Sequence, residues 1–180
     1  MGFFIALLVL ICYTHFTLTA PPSLSSFDDR VTAILNRMTN EEKVGQMTQI
    51  TINLILKDAS KPWNEIEVDP EKLRIAIEDY KVGSILNVAE TGAYDLAQWH
   101  TIIQQIQDAA RKSRLQIPVL YGIDSIHGAN YIRNAVLFPQ ATGLAATFNT
   151  DLARDIGKIV AHQTRAAGIP WSFHPQVDIG

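Results

Sequence analysis

Stretches whose apolar residues recur every three or four positions alternate along the chain with short runs that are apolar throughout. The first pattern is that of a helix burying one stripe, the second that of a strand covered on both faces. Residues 28–38 read as a helix with Val31, Ile34, Leu35 and Met38 on one stripe. A second helix starts at Thr39, whose hydroxyl and Glu42 have the spacing of a capping box, each side chain satisfying a free backbone N–H. Residues 46–56 are apolar and β-branched and contain a strand, whereas residues 57–67 are polar, hold Pro62 and read as a surface loop. Asp69 and Pro70 open a helix as N-cap and first-turn proline, and Leu73, Ala76, Ile77 and Tyr80 form its buried face. A strand follows at residues 83–88, then the longest helix at 94–114, with Leu96, Trp99, Ile103, Ile106 and Ala110 on its apolar side. Residues 117–122 are the next strand, and a short one is expected at 144–146. Asn149 caps a helix that turns Leu152, Ile156, Ile159, Val160 and Gln163 inward and ends at Gly168. A last strand is predicted over residues 171–179.

Strands separated by amphipathic helices of this length predict a parallel sheet with crossover helices. A doubly wound dinucleotide fold would carry a Gly-x-Gly-x-x-Gly turn after its first strand, and the chain has neither that turn nor a Gly-x-x-x-x-Gly-Lys phosphate loop. The predicted class is therefore α/β, a partial (β/α)8 TIM-type barrel, N-terminal part only. A whole barrel takes about 250 residues, and these 180 supply three or four strand–helix units.

Composition changes this picture in two places. The formal net charge of −3 and the absence of a basic face give no reason to expect nucleic acid. Residues 3–11 form a continuous apolar run with no charge before Asp28, too short for a membrane span and of the length of a secretory signal core. Residues 1–20 are expected to be a signal peptide and residues 21–180 the barrel portion, incomplete at its C-terminus, with no membrane association after signal removal. Leu18 and Pro21 flank the candidate cleavage after Ala20 unfavourably and no Lys or Arg precedes the run, so an uncleaved anchor or a misassigned start are the alternatives. Cys12, the only cysteine, lies inside this segment, which leaves the rest without a thiol nucleophile or a disulfide.

Candidate chemistry concentrates in residues 117–130. A buried strand breaks there into a loop carrying Asp124, Ser125, His127 and Asn130. In (β/α) barrels the functional groups sit on loops leaving strand C-termini, so Asp124 is the first candidate for binding a ligand; its bland reading is a turn-capping aspartate. His127 reads as a structural histidine bonding loop backbone, or else as a cleft residue. Ser125 lacks the flanking glycines of a nucleophile elbow. His127, His162, His174 and Asp178 match no zinc spacing, so neither a metal nor any other cofactor is expected. Trp99 and His162 read as helix packing, Arg165 as a charge at a helix C-terminus, and Trp171 stays open between core and sugar platform.

Four blocks, in order, resemble the N-terminal barrel of glycoside hydrolase family 3, which holds many β-glucosidases. They are residues 37–47 (RMTNEEKVGQM), 117–128 (IPVLYGIDSIHG), 137–147 (LFPQATGLAAT) and 166–175 (AAGIPWSFHP). The resemblance implies a retaining, exo-acting glycosidase that releases terminal β-D-glucose, with a β-glucoside or oligosaccharide as substrate. It also implies that Asp124, matching the aspartate of the family's Gly-Ile-Asp block, is substrate-binding. An ionised carboxylate offers two acceptor oxygens to adjacent hydroxyls. The family's arginine-rich block, its Lys-His pair, its nucleophile segment and the second domain that often lends the acid/base are expected after Gly180, so no catalytic residue is assigned here. The missing C-terminal part of the same polypeptide is then a partner of this one, and the 180-residue chain alone is expected not to hydrolyse aryl β-glucosides. The protein is expected to be secreted or lysosomal. The other reading is a non-catalytic carbohydrate-binding fragment or degenerate paralogue that keeps Asp124.

Overall fold

A computed structural model describes residues 24–89 and 92–175. The expected signal segment, Asp178 and the end of the last predicted strand lie outside the described residues. Helix α1, Leu24–Leu35, begins four residues before the predicted start and belongs to a compact unit separate from the one that begins at Met38.

In the second unit, helix α2 spans Asn40–Met47 and its start is set as the sequence predicts. Thr39 Oγ1 accepts from Glu42 N at 3.2 Å, and Thr39 N donates to Glu42 Oε2 at 2.9 Å. Strand β1, Gln49–Thr51, runs into a 3-10 turn at Ile52–Ile55, and residues 57–67 close on themselves through Lys57 N to Glu67 O at 3.0 Å. Helix α3, Pro70–Arg74, has Asp69 as its N-cap and widens into a π turn at Ile75–Asp79. That widening corrects one predicted core residue. Tyr80 N reaches back five residues to Ile75 O, which turns the ring off the Leu73–Ala76–Ile77 stripe and leaves Tyr80 70% exposed.

Strand β2 is Ser84–Leu86, helix α4 is Leu96–Lys112, and strand β3 is Leu120–Ile123. Asp95 caps α4 through Gln98 N at 2.8 Å. The helix buries Trp99, Ile102, Ile106, Ala109 and Ala110, so its inward stripe lies slightly to one side of the predicted one, and Leu96 is exposed. The strand expected at residues 144–146 is absent: helix α5 occupies Ala141–Ala145, because Ala and Leu suit a helical turn. Helix α6, Thr150–Ala166, has Asn149 as its cap, and Gly168 follows with φ +81°, the left-handed geometry that a glycine accepts without penalty. Of its predicted inner face only Val160 is fully buried, while Leu152, Ile159 and His162 are exposed, so packing does not account for His162. Strand β4 is Trp171–Ser172.

The four strands form one parallel sheet in the order β1-β2-β3-β4. Sequential parallel order with a helix in each crossover is the (β/α)-barrel arrangement. Side chains alternate across β3: Tyr121 and Ile123 enter the helix-side core, with Ile85 as the partner of Tyr121, while Leu120 is half exposed on the opposite face. Trp99 is the centre of that core, fully buried, with Tyr94 at 5.0 Å and Tyr121 edge-on at 5.5 Å between ring centroids. Its indole N–H donates to Tyr131 O at 3.0 Å, which satisfies the one polar atom that burial would otherwise strand.

Candidate functional site

The C-terminal ends of all four strands face one rim, and Asp124 stands on it as the first residue after β3. The neighbouring strand exits hold its base on both sides. Asn87 N donates to Gly122 O at 2.9 Å from the β2 exit, and Phe173 N donates to Ile123 O at 3.0 Å from the β4 exit. With its amide oriented by its hydrogen bonds, Asn130 donates to the carbonyl oxygens of Asp124 and Gly128, each at 3.0 Å. Gly128 has φ +120°, and a Cβ there would collide with Val136 O, so the loop turns back here only with glycine. Phe138 N closes the turn on His127 O at 2.7 Å. The backbone of Asp124 is therefore fixed from several directions. Its carboxylate is half-buried and accepts no hydrogen bond from any side chain or N–H of the described residues. A carboxylate held rigidly at a strand exit with its own acceptors unspent is arranged to receive donors from outside, such as hydroxyls.

Ser125 is buried and its hydroxyl shares a hydrogen bond of 3.0 Å with Thr164 Oγ1, so it ties β3 to α6. His127 makes no side-chain bond to loop backbone among the described residues. It lines a recess of about 460 Å³ with Phe138, Ile156, Val160, Ser172 and His174. The expectation of a backbone-bonding histidine is thus corrected: the backbone of residues 127–138 bonds to itself and leaves the imidazole unused. Trp171 is 38% exposed and packs edge-on against Phe173 at 4.7 Å, on the face of the sheet that carries Gly122. Arg165 lies in the last turn of α6, where a positive charge complements the helix dipole. Among the described residues no cluster of three His, Cys, Asp or Glu side chains could hold a metal.

Two tyrosines support the β2 exit from beneath. Tyr121 Oη donates to Asn87 O at 2.6 Å, and Tyr94 Oη accepts from Ala89 N at 3.1 Å. Burial raises the pKa of both phenols, Tyr121 well above the ordinary range, so both stay protonated and keep these bonds over the whole working pH range. Sequence reasoning missed this support. The signal in the sequence is only that two tyrosines fall on apolar stripes where phenylalanine would pack as well.

Opposite the rim, Glu42 anchors the sheet base. It accepts from Arg114 Nε at 2.9 Å, from Arg114 Nη2 and from Thr39 N. The Arg114 hydrogen bonds, followed by the Thr39 N–H, pull its pKa down to about 2. A recess of about 770 Å³ with Val44, Ile50, Leu54, Ile75 and Tyr80 among its walls lies between α2, β1 and α3 and contains no residue of the Asp124 rim.

Sheet order and crossover helices define a segment of a parallel (β/α) barrel, with a polar rim at the strand C-termini. The model of the glycosyl hydrolase family 3 N terminal domain matches residues 39–180, and the chain belongs to that family. It is 38% identical over 165 residues to a lysosomal beta glucosidase of Dictyostelium discoideum, covering 87% of this chain and 20% of that protein. A periplasmic beta-glucosidase of Salmonella typhimurium is 31% identical over 153 residues, covering 84% of this chain and 17% of the relative. The chain thus spans about a fifth of the length of these curated relatives. Among solved structures, a mutant beta-glucosidase from Listeria innocua in complex with laminaribiose superposes with a TM-score of 0.59 at 23% identity, over 83% of this chain and 19% of that one, and shares the fold.

Proposed function

We propose that the polypeptide carrying this chain is a glycosidase that releases terminal β-D-glucose, and that Asp124 binds hydroxyls of the departing sugar. The observation that carries this reading is the Asp124 carboxylate, fixed at the exit of β3 with no partner among the described residues. Membership of a glycosidase family and relatives named as β-glucosidases support it. Two carboxylates about 5–5.5 Å apart, one a nucleophile and one an acid/base, would give hydrolysis with retention. We place both in sequence that follows residue 180, so the 180 residues bind the sugar and the remainder performs the chemistry. Hydroxyl-directed hydrogen bonds at Asp124 reject sugars that lack the hydroxyl, because the carboxylate is then left unpaired. Residues 1–20 as a signal peptide and a secreted or lysosomal location complete the proposal; relatives named lysosomal and periplasmic are compatible with it.

The test is turnover of an aryl β-glucoside, followed by proton NMR. The intact polypeptide is expected to release β-glucose first, and residues 21–180 alone to release none. Release of α-glucose first overturns the retaining mechanism. Turnover by residues 21–180, lost on Asp124→Ala, overturns the division of labour. An intact polypeptide that binds glucosides without turnover is the second reading, a carbohydrate-binding paralogue.

A further inference from the structure

Four side-chain atoms are buried without a hydrogen-bond partner among the described residues: Asn53 Oδ1, Asn87 Oδ1, Gln98 Oε1 and His174 Nδ1. An unpaired buried polar atom is destabilising, so each asks for an explanation. Three of the four fall within two residues of the C-terminal end of a strand, after β1, β2 and β4, and the unpartnered Asp124 carboxylate follows β3. Three of the four unpaired buried side-chain atoms thus lie just past strand ends on the exit rim.

Of these positions Asn87 is bound most directly to the Asp124 strand. Its N–H donates to Gly122 O, and its carbonyl receives the Tyr121 hydroxyl, so both backbone groups are spent on β3. Asn53 instead lies in the 3-10 turn after β1, and His174 lies on the recess beside α6. Asn87 has φ +62°, which asparagine adopts readily, and the conformation by itself implies no function. Its side chain is the unusual part. Neither the oxygen nor the NH2 of the amide has a protein partner among the described residues, although the residue is half-buried and its backbone is locked. Adjacent strands lie about 4.8 Å apart, the span of a pyranose ring, so one sugar can bridge the β2 and β3 exits. A half-turn of the carboxamide offers either an acceptor or a donor to a hydroxyl, which a carboxylate cannot do.

We propose that Asn87 is a second sugar-gripping residue beside Asp124, whose carboxamide exchanges a hydrogen bond with one ring hydroxyl of the terminal glucosyl unit and so contributes to the choice of sugar. This rests on the glycosidase reading of the Asp124 rim. The amide has no partner among the described residues, and a ring hydroxyl would supply one.

The test pairs variants of the intact polypeptide with an aryl β-glucoside and its 2-, 3-, 4- and 6-deoxy analogues. Asn87→Gly removes the amide and fits the left-handed backbone, and Asn87→Asp keeps an acceptor; thermal melts verify that both fold. With the parent glucoside, Asn87→Gly is expected to lower kcat/KM on the order of tenfold or more, and the loss to vanish with one deoxy sugar alone. Asn87→Asp is expected to recover part of that loss. An equal loss with every sugar, or none with any, overturns the proposal. If the intact polypeptide binds without turnover, the same series is read as binding constants with the same criteria. Asp124→Ala is measured alongside: if it costs nothing while Asn87→Gly keeps its single-hydroxyl signature, the reading of Asp124 fails and that of Asn87 stands.

Discussion

Glu42 shows how one side chain can serve two elements at once. It completes the Thr39 capping box of α2 and receives the Arg114 fork from the segment before β3, with only 7% of its side chain exposed. Its folded pKa is depressed, from 4.5 to about 2, by the Arg114 hydrogen bonds first and the Thr39 N–H second. A depressed acid stabilises the fold above its unfolded pKa, and that contribution is lost as pH falls through the folded one. The melting temperature is therefore expected to fall between pH 4.5 and about 2, and Glu42→Gln to lower it at pH 7 while flattening this acid limb. An unchanged acid limb in the variant would show that the pair is not coupled to folding. The Thr39 half of this arrangement is legible in the sequence, because a capping box is local; the Arg114 half joins residues 72 positions apart and has no local trace. The same holds on the rim. Asp124 is legible as a polar break after an apolar strand, whereas the placement of Asn87 depends on a cross-strand bond and a buried tyrosine.

At the scale of elements, α4 carries the core through Trp99, which meets Tyr94, Tyr121 and the Tyr131 carbonyl. Trp99→Ala is expected to destabilise by about 3–5 kcal/mol, read from chemical denaturation. A change below one kcal/mol would mean that the core does not form as described. Gly122 is a second test point, because a Cβ there would run into the Phe173 ring from β4. Gly122→Ala is expected to cost about 1–3 kcal/mol, since the Phe173 ring must shift to make room; no cost would mean that Phe173 does not lie against β3. Helix and strand order were legible because period alone separates them. Three errors share one cause, in that periodicity assumes an ideal helix or strand with a partner. The π turn rotates Tyr80 away from its predicted face, α5 forms where a strand was expected, and α6 finds cover for Val160 while Leu152 and Ile159 stay exposed.

At the scale of the whole molecule, the described residues form a sheet of four parallel strands in which β1 and β4 have no further strand partner among those residues, and Leu120 and Trp171 are exposed at 52% and 38%. An eight-stranded barrel has no edges, so this sheet offers unpaired backbone and apolar surface to any neighbour. The groove walled by Val44, Ile50, Leu54 and Tyr80 adds a second apolar surface. Residues 21–180 on their own are accordingly expected to self-associate or to lack a cooperative melt, as read by sedimentation and calorimetry. A monomeric sample with a sharp transition contradicts this. Calorimetric binding of D-glucose to the intact polypeptide, with and without Asp124→Asn, tests most directly whether the carboxylate on the exit rim grips a sugar. The substitution keeps the shape and removes the charge, and affinity is expected to fall on the order of tenfold or more. Equal affinity in the two proteins, both folded, would contradict the account.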